Sequence, residues 1–405
     1  MPGWLIGSRR WSPTSSRGDA TFIRIPSVAN AEHRTAALVA AHLRSLGLEV
    51  RTGVAGTGVV ATMRGAGAGP TVALRADMDA LPVREAVDLP FASRATGLYR
   101  GEVVPVMHAC GHDAHTAMLM GAASVLVGMR DQLRGNVRFI FQPAEEGVPD
   151  GGLAGAALMV DEGVLEEVDA IFGLHVGPAP LGSIGYRAGA IMASADQFEI
   201  VVQGRQTHAA APWTGVDPIV IGARIVLGLQ TLVSREVDLT HTPALVSVGQ
   251  FDAGVRNNII PDRATLTSTV RTFDEPTRDA LRAGLRRTAE HIALGAGGTA
   301  SVSLRRGTPV TFNDPALTWQ KIPTLRRVAR DGFAGEVDPT TTAEDFAFYQ
   351  QGVPGMIFFL GVPRPDDPNP APNHSPRFQV DERALRVGVR AHVELALDYL
   401  AEPLP

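Results

Sequence analysis

Apolar residues recur along this chain with two periods that take turns, and that alternation restricts it to a layered α/β architecture. Leu38, Val39, Leu43 and Leu46 within Glu32–Leu46 follow a helical period, and Gly47 supplies a stop. Thr71–Leu74 reads as a strand, His115–Val127 as an Ala/Met/Leu helix, and Asn136–Phe141 and Asp169–Leu174 as further strands. Strands and helices spaced in this way form a mixed, largely parallel sheet covered by helices.

The order changes near Ala195. Gln197–Val202 reads as a strand, Pro218–Ser234 as a long apolar helix, and Ala244–Phe251 and Ala264–Thr272 as strands. Glu275–Ala293 is then a helix and Thr299–Arg305 a strand. This β-α-β-β-α-β succession predicts an inserted ferredoxin-like domain. Trp319–Arg330 resumes the helical period, Gly355–Leu360 is a strand, and Arg383–Leu400 a closing helix. Pro363–Pro376 carries too much proline for regular structure. The expected division is a first domain from 1–190 and 307–405, interrupted by a second at 191–306. At 405 residues, two domains are the default for one chain.

Composition narrows the function classes. A net charge of −5 and a pI near 6.1 argue against a general nucleic-acid binder. One cysteine excludes an internal disulfide framework and suits a reducing compartment. No apolar run is expected to reach the ~20 residues that span a bilayer. Arg9-Arg10 is followed by no hydrophobic segment, so no secretory signal is expected and the cytoplasm is the simplest address.

The single cysteine does not stand alone. His108-Ala109-Cys110-Gly111-His112-Asp113-Ala114-His115 gathers five metal donors in eight residues. A thiolate with imidazoles suits zinc, manganese, cobalt or nickel better than calcium or magnesium. Other donors fall where strands end. Pro143 stops the Asn136–Phe141 ladder, so Ala144-Glu145-Glu146-Gly147 leaves as a loop. Of two adjacent carboxylates, one can bind metal while the other accepts a proton from activated water. Asp169–Leu174 runs into His175, and the proline-rich loop offers Asn373-His374-Ser375. A lone histidine in either place is ordinarily structural, but ligands of open α/β sheets gather outside the carboxyl ends of the strands. Thr71–Leu74 leads to Asp77 and Asp79, which can orient ligand histidines as hydrogen-bond acceptors. Spacing alone does not choose between His112 and His115.

Together these residues resemble the M20 metallopeptidase family, in the amidohydrolase branch that holds hippurate hydrolases, N-acyl-amino-acid amidohydrolases and auxin-conjugate hydrolases. The matching motifs are Ala73–Pro82, His108–His115, Gln142–Gly147, Gly173-Leu174-His175, Thr342–Phe346 and Asn373–Pro376, in family order. The resemblance implies two divalent ions per subunit, manganese or zinc (nickel or cobalt also fit). It implies Cys110, His112, Glu146, His175 and His374 as their ligands, and Glu145 as general base and acid. His108 and His115 then fall to supporting or packing roles. It also implies a dimerisation domain whose His208 reaches a partner's active site to stabilise the oxyanion. Asn258 and Arg271 would hold the substrate carboxylate, a task that suits a guanidinium. Arg75 stands where related peptidase branches have a ligand histidine, which favours N-acyl or N-aroyl amino acids over ordinary dipeptides.

One segment departs from the family. Relatives carry His-x-His-Pro-Glu ahead of the first helix, whereas Ser8–Asn30 contains no histidine and lacks clear periodicity. It is expected to be divergent, poorly packed and a brake on activity. Three rivals follow: a di- or aminopeptidase of the same family, a cysteine hydrolase with Cys110 as nucleophile, and a non-catalytic metal-binding scaffold. The cysteine hydrolase leaves Glu145, Glu146, His175 and His374 without work. The scaffold requires a ligand or the base to be missing.

Overall fold

The computed structural model describes residues 26–147 and 154–404. The divergent stretch lies outside them except for residues 26–30, where buried Val28 forms an isolated parallel bridge to Ala80. The chain divides into two compact units. One takes the described part of Met1–Gly189 with Phe312–Val337 and Phe348–Pro405. The other takes Ala190–Thr311 and Asp338–Ala347.

In chain order, the first unit opens with α1 (His33–Ser45), β1 (Glu49–Val54), β2 (Gly58–Arg64) and β3 (Gly67–Asp77). There follow α2 (His112–Val127), β4 (Arg134–Gln142), β5 (Ala170–Gly177) and β6 (Ile184–Tyr186). The second unit contributes β7 (Asp196–Gln203), α3 (Pro218–Thr231), β8 (Ala244–Ala253), β9 (Arg263–Thr272), α4 (Glu275–Gly295) and β10 (Thr299–Arg305). The chain then returns with α5 (Pro315–Val328), β11 (Ala334–Glu336), β12 (Gly355–Gly361) and α6 (Arg383–Ala401).

The sheet of the first unit has the order β1-β2-β4-β3-β5-β12-β6-β11. Its centre, β4-β3-β5-β12, is parallel, and β2 joins it antiparallel. All four central strands therefore end on one edge. The last seven residues of β3 and the first five of β5 are buried without alternation. Parallel strands covered on both faces have this character, which is why apolar runs rather than alternation reveal them. Val39 and Leu43 of α1, Met118 and Leu119 of α2, Leu325 of α5 and Leu395 of α6 close the core. Helices α2 and α6 pack so closely that a Cβ at Gly388 would come 1.8 Å from the Met118 sulfur.

The ends of several elements differ from expectation, and at the site the differences matter. Helix α2 begins at His112 rather than His115, so both histidines sit in its first turn. Strand β5 runs on to Gly177, which places His175 inside the strand instead of after it. Helix α5 starts at Pro315, not Trp319, because the Asp314 side chain accepts the Leu317 N–H at 2.7 Å and proline is tolerated in a first turn. Hairpin β1-β2 and the short strands β6 and β11 were not expected.

The second unit has an antiparallel sheet in the order β8-β9-β7-β10. Along β7 burial alternates, with Phe198, Ile200 and Val202 inward and Gln197, Glu199 and Gln203 outward. Ile221, Ile225 and Leu229 of α3 and Leu281 and Leu285 of α4 cover the inward face. The order and the β-α-β-β-α-β succession are those of a ferredoxin-like unit. With its π-helical continuation, α3 covers Pro218–Glu236, 19 residues that include an 18-residue window of mean hydropathy 1.3, enough by length and composition to cross a membrane. Its apolarity has another use in this unit, where one face closes the core.

A buried ion pair joins β7 to α4. Arg278 Nε and Nη2 each donate at 2.8 Å to the Asp196 carboxylate, and both side chains have 0% exposure. Burial alone would raise the Asp196 carboxyl, but Arg278 and the Gly307 N–H outweigh it and hold the carboxyl below its ordinary value. Asp196→Ala is expected to cost about 3–5 kcal/mol, because it strands a buried guanidinium. A depressed carboxyl contributes stability above its unfolded pKa and loses it as pH falls. Wild-type stability should therefore decline below about pH 4 in a limb that the variant lacks, read by urea denaturation across pH.

Candidate metal centre

The site is built on the shared edge where β3, β4, β5 and β12 end. Asp77 closes β3, and Asp79 lies two residues beyond it. Glu145 and Glu146 follow the end of β4, His175 lies near the end of β5, and His374 is carried by the loop between β12 and α6. Cys110 and His112 flank the start of α2, where Gly111 caps the helix with φ of 90°. Glycine is required there twice over: the conformation is left-handed, and a Cβ would come 2.3 Å from Val176 Cγ2. Without it the thiol and the imidazole could not face the same edge.

Donors distant in sequence meet at this edge. The Cys110 sulfur lies 3.5 Å from His175 Nε2 and 3.3 Å from His374 Nε2. His374 Nε2 is 2.9 Å from the Glu146 carboxylate. Within 4.8 Å of one another stand Cys110, His112 and His175; Cys110, Glu146 and His374; and His112, Glu145 and Glu146. Two of these triads share the thiol. His112 Nε2 is buried and makes no hydrogen bond, with Asp77 Oδ2 at 3.8 Å and Glu145 Oε2 at 4.0 Å. Thiol, imidazole and carboxylate around an unpartnered ring nitrogen fit a borderline divalent cation. Burial would raise the Cys110 thiol, but His175, His112 and His374 bring it down to about 6.

Asp77 and Asp79 organise the surroundings. Asp79 accepts His112 Nδ1 at 3.2 Å through Oδ1, and its backbone carbonyl lies 2.9 Å from the same nitrogen. The Nδ1 proton is thereby fixed, which leaves Nε2 as the lone-pair nitrogen. The Asp79 carboxylate also accepts the backbone N–H groups of Glu145 and Glu146, each at 3.1 Å. Asp77 receives Arg75 Nη1 at 2.7 Å and His115 Nδ1 at 2.6 Å. Burial by itself would raise the Asp77 carboxyl, but Arg75, His112 and His115 hold it well below the usual range. Arg75 Nε also donates to Gln142 Oε1 at 2.8 Å, joining the ends of β3 and β4.

His115 has a different task from His112. Its Nε2 accepts the Val176 N–H at 2.9 Å, so Nδ1 carries the proton that Asp77 receives. Burial lowers it to about 4, in keeping with a neutral ring. The result is a strut between β3 and β5. His108 is buried and is lowered to about 3, chiefly by that burial. Asn373 is a second strut: its Nδ2 donates at 3.1 Å to both the Cys110 and Val176 carbonyls, while the His374 N–H reaches the Ala109 carbonyl at 2.8 Å.

The remaining expected residues lie in the second unit. His208 is exposed on a two-residue strand paired with Ile259–Ile260, and its Nδ1 accepts the Ala210 N–H at 3.0 Å. Asn258 is beside it, its carbonyl accepting the Ala209 N–H at 3.0 Å. Arg271 is half-buried on β9 and donates to the Val270 carbonyl at 3.2 Å. A residue that sequence reasoning missed is Glu32, whose carboxylate accepts the Ala144 N–H at 3.0 Å. A glutamate heading an amphipathic helix gives no sign of a partner in another strand's loop.

A hydrolase built around a thiol-containing donor cluster on the carboxyl edge of a mostly parallel sheet is what the fold and site define. The chain belongs to the peptidase family M20/M25/M40, whose sequence profile matches residues 73–398. Thermostable carboxypeptidase 2 of Saccharolobus solfataricus is 41% identical over 377 residues, 92% of either chain. An N-acetylcysteine deacetylase of Bacillus subtilis is 41% identical over 342 residues, 84% of either chain. Among solved structures, a Bacillus subtilis protein described as a dinuclear metal binding peptidase from the M20 family superposes with a TM-score of 0.81. It is 35% identical, with 96% of this chain and 98% of that one covered. The resemblance drawn from the motifs is confirmed.

Asn373→Ala removes the donor shared by two carbonyls, a loss worth about 1–3 kcal/mol. It should leave the fold intact but let His374 drift from Cys110. Competition with a chromogenic chelator should then strip zinc or manganese at about a tenth of the wild-type chelator concentration.

Proposed function

We propose that the protein is a two-metal amidohydrolase that cleaves N-acyl or N-aroyl amino acids to a carboxylate and a free amino acid. Cys110, His112, Glu146, His175 and His374 hold the ions, manganese or zinc, and Asp77 and Asp79 orient that set. The observation that carries this reading is the pair of donor triads sharing Cys110. Two groups with one common thiol suit two cations better than one. The relative named N-acetylcysteine deacetylase supports the acyl-amino-acid class, and the solved relative described as dinuclear supports the ion count. A thiol used as a donor also suits the reducing cytoplasm.

When bound, the ions would supply Lewis acidity, lowering the pKa of water and stabilising negative charge on the amide oxygen. The chain's own residues do the rest. Glu145, with a side chain only 9% exposed and its N–H held by Asp79, accepts the proton of the attacking water. It then delivers that proton to the amide nitrogen as the C–N bond breaks, so that the amine leaves neutral. His208, offered by a partner subunit, donates to the oxyanion. Arg271 and Asn258 hold the substrate carboxylate.

Homodimer formation is part of the proposal, and the outer face of α3 supports it. Val220 and Leu227, two turns apart, are 52% and 71% exposed, and Ile219 beside them is 40% exposed. An apolar stripe of this kind on a helix is a common mark of an interface. Leu227→Asp is expected to shift the protein to monomer by light scattering and, by separating His208 from its partner's site, to lower kcat by at least about 10²-fold.

The central test is a metal-reconstituted screen over hippurate, N-acetyl amino acids and indole-acetyl conjugates. EDTA should abolish turnover, and Mn²⁺ or Zn²⁺ should restore it. Glu145→Gln should retain the ions yet lose about 10²–10⁴-fold in kcat. Full turnover by that variant would overturn the mechanism. Activity that survives chelation but is lost to iodoacetamide would favour thiol chemistry instead.

A further inference from the structure

The two glutamates after β4 leave the strand through an unusual turn. Ala144 has φ of 52°, a left-handed conformation that strains a residue carrying a Cβ. Such a residue persists only where its surroundings over-determine it. Here three successive backbone N–H groups, those of Ala144, Glu145 and Glu146, are each received by a buried carboxylate oxygen. Asp79 receives the second and third. The first goes to Glu32, which stands at the head of α1 and has 0% exposure.

The Glu32 carboxylate is itself held on every side. Oε1 accepts the Ala144 and Asn30 N–H groups, both at 3.0 Å, and Oε2 accepts the Thr57 hydroxyl at 2.5 Å. One side chain thus joins α1, the turn before β2 and the loop after β4. Its length decides whether it reaches. Burying a carboxylate costs several kcal/mol unless its lone pairs are filled, and filling them fixes the groups that fill them. A rigid Ala144 fixes the direction in which the next two side chains leave.

We propose that Glu32 is a positioning residue for the reaction, holding the left-handed turn at Ala144 that aims Glu145 at the substrate and Glu146 at the metal site. The inference rests on the proposed roles of Glu145 and Glu146. Its contribution is geometric: a neutral acceptor of the same length serves, and a charged one that falls short does not. Burial and the nearby Asp79 already push the Glu32 carboxyl up to about 7, so the amide of glutamine is a close replacement.

The test compares Glu32→Gln with Glu32→Asp in the metal-loaded full chain. Glu32→Gln keeps an oxygen for Ala144 and offers Thr57 an N–H, whereas Glu32→Asp keeps the charge but withdraws by one methylene. In Glu32→Asp, kcat per bound metal should fall by about 10²-fold with KM within about threefold, while Glu32→Gln recovers most of the loss. Hydrogen exchange of the Ala144 amide, read in the metal-free protein, should quicken at least about tenfold in Glu32→Asp and stay near wild type in Glu32→Gln. The exchange result stands whatever the substrate. The reverse order of the two variants, equal loss in both, or wild-type kcat and exchange in Glu32→Asp would overturn the inference. Glu145→Gln in the same assay separates the failures: if it keeps turnover, the proposed mechanism is wrong, and the exchange data alone judge Glu32. If it is inactive while Glu32→Asp behaves as wild type, the positioning role alone is lost.

Discussion

The end of β3 delivers two carboxylates into the interior, and satisfying them fixes His112, His115 and the loop that carries Glu145 and Glu146. A buried carboxylate must find donors or charge. Asp77 finds Arg75 and His115; Asp79 finds His112 and two backbone amides of the loop after β4. The demands are met from β3 itself, from the first turn of α2 and from the loop after β4, so meeting them ties those three segments together. Part of the organising force is thus the cost of leaving Asp77 and Asp79 unpaired, and the rest is the pairing of His374 with Cys110 and Glu146.

Arg75 makes this visible. In related peptidase branches the resemblance puts a ligand histidine at its place, but here the guanidinium is 1% exposed and engaged by Asp77 and Gln142. A permanent positive charge at that point turns a ligand position into a support. The nitrogen donors then come from the first turn of α2, from β5 and from the loop before α6. In the proposed site the Cys110 thiol would make up for the missing imidazole.

Much of this was legible in the sequence, and what was not has a common reason. The apolar runs of β3, β4 and β5 could be read because continuous burial demands apolar residues throughout, and the apolar face of α4 because one-sided burial imposes a helical period. The edge strand β1, with four of its six residues exposed, imposes none. The choice between His112 and His115 could not be read, since both lie one turn apart on the same helix. What separates them lies far off in sequence: His115 Nε2 takes the Val176 N–H, a partner 61 residues away. Glu32 was read merely as the start of a helix, because its acceptor role appears only with Ala144, 112 residues downstream. Side chains whose partners are distant backbone amides leave no trace in spacing. Donors whose chemistry is rare, such as a lone cysteine between histidines, leave a strong one.

The contact between Cys110 and His374 spans 264 positions, and the whole ferredoxin-like unit is encoded between them. On a ribosome adding about 5–20 residues per second, the thiol emerges on the order of tens of seconds before that imidazole exists. During this interval the nascent chain holds the Cys110, His112 and His175 group, while the group of Cys110, Glu146 and His374 lacks its last member. Completion of the second donor group is accordingly an event of the finished polypeptide, after the inserted unit between its members has been made.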